Sequence, residues 1–165
     1  MSEENPEVAR RVIDAFNRGD RDEQRLLEGF RASYLRFAEA FNRRDFEAAF
    51  APIPPDLVFA PLVAERGQAE ALAGELRELH GREELIAFFR DWVEEFPDWR
   101  VDVDGFAGPT LGVILVTSTV RGTGRSSGVP VVRRFTEVWD MRSQPIRVSQ
   151  HQDEADALEA VGLAE

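Results

Sequence analysis

The second half of the chain constrains the fold most strongly, because a segment with helical periodicity there is followed by segments with strand periodicity. From Glu83 to Phe96 apolar residues recur every three or four positions and share one helical face: Leu85, Phe88, Phe89, Trp92 and Phe96. Pro97 ends this predicted helix. The pattern therefore predicts one amphipathic helix whose aromatic face needs a partner layer.

Four segments with strand character follow this helix. They cover residues 99–106, 113–120, 131–139 and 146–152, and turns rich in Gly, Ser and Pro separate them. Glu154 to Val161 then reads as a short closing helix that ends before Gly162. This order predicts an α+β fold with helices packed on one face of a bent sheet.

The first half of the chain is predicted to be mainly helical. One stripe of apolar residues extends over four helical turns: Leu26, Phe30, Tyr34, Phe37 and Phe41. Asp45 is a predicted N-cap for a short helix that buries Phe46, Ala49 and Phe50. Residues 57–59 then form a predicted strand, which Pro61 stops.

Two further segments are predicted less fully. An additional helix is predicted around Val8 to Phe16. We therefore expect residues 1–32 to form an extra N-terminal segment that packs on a domain of residues 33–165. Together the two parts are expected to make one structural domain. Residues 65–79 are rich in Ala, Glu and Leu, and they predict either a surface insertion or a lid over a pocket.

Composition excludes several kinds of chemistry. The chain has no cysteine, and all 20 of its basic residues are arginine, so neither a thiolate nor a lysine Schiff base is available. The two histidines lack metal-binding spacing, and we expect no metal and no cofactor.

A net charge of −11 disfavours nucleic acid as a partner. No apolar run is long enough to cross a membrane, so a cytoplasmic location is expected.

Four pieces of the sequence, taken in order, resemble SnoaL-like members of the nuclear transport factor 2-like superfamily. They are Ala40-Phe41-Asn42-Arg43-Arg44-Asp45, Gly81-Arg82-Glu83-Glu84, Phe135-Thr136-Glu137-Val138-Trp139 and the segment from Ala157 to Leu163. The resemblance implies a cone-shaped fold, in which a curved, mostly antiparallel sheet wraps around helices and encloses a pocket. It also implies a homodimer. The superfamily includes polyketide cyclases, ketosteroid isomerases, epoxide hydrolases and many proteins without catalysis, so the fold leaves function open.

The positions that carry catalysis in the enzymatic branches are mostly altered here. The tyrosine of the isomerases aligns with Phe37, and their general base aligns with Ala60. The acid on the last strand of cyclases and hydrolases aligns with Gln150, which cannot exchange a proton at neutral pH. Only the second acid of the isomerases has a counterpart, Glu137.

Glu137 is the candidate catalytic residue, because it alternates with Phe135 and Trp139 and so places a carboxyl group on an aromatic face. Burial there would raise its pKa and suit it to proton transfer or ligand anchoring. Two alternatives remain open: Glu137 pairs with Arg133 or Arg134, or Thr136 faces inward instead. The candidate ligand-binding residues are Phe37, Phe41, Phe59, Phe88, Trp92, Phe135, Trp139 and Gln150.

Three functions are compatible with these residues. The preferred one is a mostly apolar pocket that binds a small hydrophobic molecule. The alternatives are a pocket enzyme (an isomerase, cyclase or dehydratase) that uses Glu137 as a general acid or base, and a dimerisation or interaction module whose core is filled.

Overall fold

The computed structural model describes residues 23–61 and 78–163, which form four helices and six strands. The helices are α1 (Glu23–Asn42), α2 (Phe46–Phe50), α3 (Gly81–Glu95) and α4 (Glu154–Ala160). The strands are β1 (Val58–Ala60), β2 (Leu79–His80), β3 (Arg100–Thr110), β4 (Val113–Thr123), β5 (Pro130–Asp140) and β6 (Arg147–His151). None of the described helices is long and apolar enough to cross a bilayer.

The strands form one curved sheet in the order β2-β1-β6-β5-β4-β3. All neighbouring pairs are antiparallel except β1 and β6, which are parallel. Register shifts between Val103 and Gly105 and between Ala107 and Thr110 interrupt the pairing of β3 with β4. Such bulges bend a strand and increase its twist, which helps the sheet to curve around the helices.

The sheet separates two apolar layers. Its inner face packs against α1, α2 and α3 in the main core, which includes Phe41, Val116 and Val148. Its outer face carries a smaller cluster in which Val138 lies against Ala157 of α4. Period-two alternation along β5 assigns successive side chains to these two layers.

The Asn-Arg-Arg-Asp sequence after α1 joins the helical layer to the sheet. The Asn42 side chain donates to the Val101 carbonyl oxygen and accepts from the Val101 N–H, each at 2.9 Å. Arg44, with φ of 68°, donates to the carbonyl oxygen of Trp99 at 2.7 Å. Asp45 caps α2 by accepting from the Ala48 N–H at 3.2 Å. The motif therefore fixes where β3 begins relative to α1.

The predicted α+β architecture is confirmed, including the helix with the aromatic face, the four later strands and the closing helix before Gly162. β2 and the parallel pairing of β1 with β6 were not predicted. The predicted helix around Val8 to Phe16, and all but the last two residues of the segment 65–79, lie outside the described residues. The expected division between residues 32 and 33 falls inside α1, and a separate segment of residues 1–32 stays a prediction.

Candidate ligand-binding site

A cavity of about 1120 Å³ lies between the inner face of the sheet and helices α1 and α3. Small-molecule sites usually measure roughly 300–1000 Å³, so this space is large enough for a ligand of several rings. All nine residues that the sequence singled out line it: Phe37, Phe41, Phe59, Phe88, Trp92, Phe135, Glu137, Trp139 and Gln150.

The cavity wall differs from one end to the other. Phe59, Phe135 and Trp139 are buried, whereas Phe88 and Trp92 on α3 are only partly buried. Trp92 stacks on Phe88 with ring centroids 6.0 Å apart. The aromatic face of α3 therefore forms a partly open end, and the sheet side is sealed from solvent.

Glu137 is the buried ionisable residue of the sealed end, with 5% of its surface exposed. Its Oε1 accepts hydrogen bonds from the Tyr34 hydroxyl at 3.0 Å and from the Trp139 indole N–H at 2.7 Å. Its Oε2 accepts from the Gln150 amide at 3.3 Å. The carboxyl group is thus held by three donors that carry no charge.

Strand register and helix periodicity bring these four side chains together. Gln150 of β6 lies directly opposite Glu137 of β5, and residues directly opposite share a face. Trp139 is two residues along β5 and therefore lies on the same face. Tyr34 reaches the cluster from the buried stripe of α1, where its ring also stacks on Phe30 at 5.8 Å.

Burial dominates the electrostatics of this cluster. Loss of solvation raises the pKa of Glu137, and the hydrogen bonds from Trp139, Gln150 and Tyr34 oppose this rise only in part. Burial also raises the pKa of Tyr34, as does the adjacent Glu137 carboxylate, so the phenol stays protonated and remains a donor. The cluster therefore favours the neutral carboxyl group of Glu137 more strongly than solvent would.

Both alternative interpretations of Glu137 are wrong. Arg134 lies on the outer face and pairs with Asp104 at 3.6 Å, and Arg133 makes no ion pair within the described part of the chain. Thr136 also faces outward, where its hydroxyl lies 3.3 Å from that of Thr117.

The sequence prediction places Tyr34 in the helical stripe but does not include it among the site residues. Alignment with the isomerases placed their tyrosine at Phe37, but the hydroxyl that contacts the acid comes from Tyr34, about one turn earlier. It is the only tyrosine of the chain, and a lone phenol in an otherwise hydrocarbon stripe was the available signal.

Other polar candidates lie away from the cavity or at its edge. His151 faces outward with Ser149, and its Nε2 lies 2.7 Å from the serine hydroxyl. Glu84, Asp91 and Glu95 line the partly open end from α3, and all three are exposed. The described part of the cavity wall does not include Ala60, the position of the general base in the isomerases.

Several proteins of known structure share this fold. An NTF2-like protein of unknown function from Burkholderia pseudomallei is 25% identical, with a TM-score of 0.58, over 78% of this chain and 94% of that chain. TerC, crystallised with polyporic acid, is 19% identical with a TM-score of 0.56 and the same two coverages. A Mycobacterium tuberculosis protein in complex with estradiol-17β-hemisuccinate is 13% identical, with a TM-score of 0.54, over 72% and 88%.

No curated protein matches the chain. The profile of the SnoaL-like domain, however, matches residues 34–148, which is more than half of the 165 residues. This stretch begins at Tyr34 and contains Glu137. The chain belongs to the SnoaL-like domain family and has its nuclear transport factor 2-like α+β fold.

Proposed function

We propose that this protein binds a small, mostly apolar molecule in the cavity and that Glu137 holds the polar group of that molecule. One observation carries the proposal: among the described residues, a cavity of about 1120 Å³ has largely aromatic walls and one buried carboxyl group, that of Glu137. Apolar walls supply affinity by burying ligand surface, and a few convergent polar groups fix its orientation.

The structural neighbours agree with this type of ligand. TerC was crystallised with polyporic acid, and the Mycobacterium tuberculosis protein with a steroid ester. These proteins share only the fold with this chain, so they support the size and ring character of the ligand rather than its identity. The cavity itself weighs against an interaction module with a filled core.

Binding of 4-phenylphenol, measured by isothermal titration calorimetry, tests the proposal. We expect saturable binding with one molecule per chain. Glu137→Gln should change the affinity by no more than about threefold, because an amide of the same size still forms hydrogen bonds with a phenol. An absence of saturable binding to the wild-type protein would contradict the proposal.

Two neighbouring valines on β5 provide a matched pair of variants for the location of the site. Val131 lines the cavity, whereas Val132 is 68% exposed on the opposite face. Val131→Trp should obstruct the cavity and weaken 4-phenylphenol binding at least about tenfold, since an indole fills space that the ligand needs. Val132→Trp should leave binding unchanged. Equal effects of both variants would locate the binding elsewhere.

Proton transfer is the second candidate function, and the raised pKa of Glu137 favours it. A raised pKa makes the Glu137 carboxylate a stronger base than an exposed one. It could take a proton from the carbon beside a carbonyl group, becoming a neutral carboxyl group as an enolate forms, and then return the proton.

Exchange of the α-protons of 2-tetralone in deuterated water, followed by NMR, tests this candidate. The wild-type protein should accelerate exchange, and Glu137→Gln should slow it by about 10²-fold or more, the usual contribution of a general base. Equal exchange rates for wild type and variant would exclude this role and would leave the binding proposal intact.

We also infer a homodimer, since members of the superfamily commonly dimerise. Sedimentation equilibrium should give twice the 18.6 kDa mass of the chain. A monomer over the whole accessible concentration range would contradict this inference without affecting the cavity.

A further inference from the structure

Arg133 lies on the same face of β5 as Glu137, four residues earlier in the chain. Its side chain is partly buried and lines the cavity. Across the strand it faces Val120, which is buried and also lines the cavity. The described part of the wall therefore carries one guanidinium group, which lies opposite a valine and at a distance from the carboxyl cluster.

This guanidinium group has no partner within residues 23–61 and 78–163. No carboxylate lies within ion-pairing distance of it, and no hydrogen bond or aromatic ring engages it. Its neighbour Arg134 pairs with Asp104, and Arg121 pairs with Asp102 at 3.5 Å. In a chain with 31 acidic residues and 20 basic ones, a partly buried arginine without a carboxylate is unusual, because such cations are ordinarily paired.

A second donor on the cavity wall also lacks an acceptor. The indole N–H of Trp92 is buried and makes no hydrogen bond in the described part of the chain. Trp92 lines the same cavity from α3. Buried donors without acceptors cost stability, and an acceptor supplied by a ligand would remove that cost.

The spacing along β5 sets the length of a molecule that could use both polar positions. Four residues of a strand span about 13 Å, and Phe135 lies between the two positions on the same face. A ligand that reaches from Arg133 to Glu137 would thus have an apolar middle and two polar ends.

We propose that the natural ligand carries a carboxylate or similar anionic group, which Arg133 binds at one end of the cavity, while a hydroxyl or carbonyl group at the other end reaches Glu137. This inference rests on the proposed binding function and deepens it by naming the chemical class of the ligand. Planar guanidinium groups suit carboxylates because they donate two parallel hydrogen bonds.

The acidic residues on α3 limit where the anion can lie. Glu84 already accepts from the His80 N–H at 2.7 Å, and Glu95 lies within 3.4 Å of the Ser126 hydroxyl. Both carry a negative charge and are exposed, so solvent and salt weaken their repulsion of an anion without removing it. The anionic group should therefore bind on the β5 side of the cavity, away from α3.

A pair of matched probes tests the inference: 4′-hydroxybiphenyl-4-carboxylic acid and its uncharged methyl ester. The wild-type protein should bind both compounds in calorimetric titrations. Arg133→Gln should weaken binding of the acid about tenfold or more, the size expected for a partly buried charge-assisted hydrogen bond, and change binding of the ester by less than about twofold. Arg133→Lys, which keeps the charge, should recover part of the loss.

Arg134→Gln is the matched control, because the adjacent arginine lies on the outer face. It should change neither affinity. If the wild-type protein binds the ester but not the acid, or if Arg133→Gln weakens both compounds equally, the anionic ligand is refuted while the apolar site stands. If the wild-type protein binds neither compound, the proposed binding function fails as well, and this inference fails with it.

Discussion

Removing the Tyr34 hydroxyl should destabilise the protein by an amount that depends on pH. Tyr34→Phe keeps the ring and its contacts with Phe30 and Phe106, and deletes only the donor 3.0 Å from Glu137 Oε1. A hydrogen bond to an ionised group contributes about 1.5–3 kcal/mol, and one to a neutral group about 0.5–1.5 kcal/mol. Both partners are 5% exposed, so solvent does not replace the lost bond.

The sign of the pH dependence follows from the pKa of Glu137. Burial raises this pKa, and the Tyr34 hydrogen bond lowers it in part. Without the hydroxyl the folded-state pKa rises further, while the unfolded-state pKa is unchanged. At a pH between the folded-state pKa of Glu137 in the wild type and that in the variant, the folded variant binds more protons than the folded wild type. The variant therefore loses stability faster as pH rises. The penalty should be about 1 kcal/mol in acid and about 2 kcal/mol once Glu137 is ionised.

Urea unfolding followed by tryptophan fluorescence, at several pH values, measures this penalty. The same substitution in a Glu137→Gln background is the control, since no carboxyl group is left to titrate. There the Tyr34→Phe penalty should be independent of pH. A pH-independent penalty of equal size in both backgrounds would refute the coupling between the two side chains.

Three further variants test other parts of the structure. Glu137→Gln should gain stability relative to wild type as pH rises from the unfolded-state pKa of a glutamate to its raised folded-state pKa. The reason is that ionising the buried carboxyl group lowers the stability of the wild type. A difference in the free energy of unfolding that is the same at every pH would contradict this. Asp45→Ala should cost about 1 kcal/mol by removing the cap of α2, without changing 4-phenylphenol affinity; a loss of affinity would show that the cap also shapes the cavity. In Gly122→Ala the new Cβ would lie 2.7 Å from Trp99 Cε3, so Trp99 should move and calorimetry should show weaker binding of 4-phenylphenol. Gly105→Ala, where a Cβ meets nothing within 4 Å, is the control and should bind normally; equal affinities for the two glycine variants would refute the clash.

Alternation in the sequence was sufficient to predict the sheet side of the candidate site. Phe135, Glu137 and Trp139 share a face because strand side chains alternate, whatever the strand pairs with. The helical stripe from Leu26 to Phe41 was likewise readable from periodicity alone. These predictions depend only on local geometry.

Contacts between distant parts of the chain were not predictable from such patterns. Tyr34 and Glu137 are 103 residues apart, and periodicity does not identify which member of a stripe lies opposite a given strand residue. β2 has two residues, too few to show a period. That Arg133 has no carboxylate partner among the described residues also depends on where every nearby carboxylate lies, which no local pattern specifies.

The tryptophans allow the most direct measurement of the central claim, because all three in the chain line the cavity: Trp92, Trp99 and Trp139. Protein labelled with 5-fluorotryptophan should give three ¹⁹F NMR signals, which single Trp→Phe variants would assign. Titration with 4-phenylphenol should shift the Trp139 signal, from beside Glu137, and the Trp92 signal together, and both shifts should saturate at one molecule per chain. Signals that stay in place at saturating ligand, or that shift without saturation, would contradict a ligand site inside this fold.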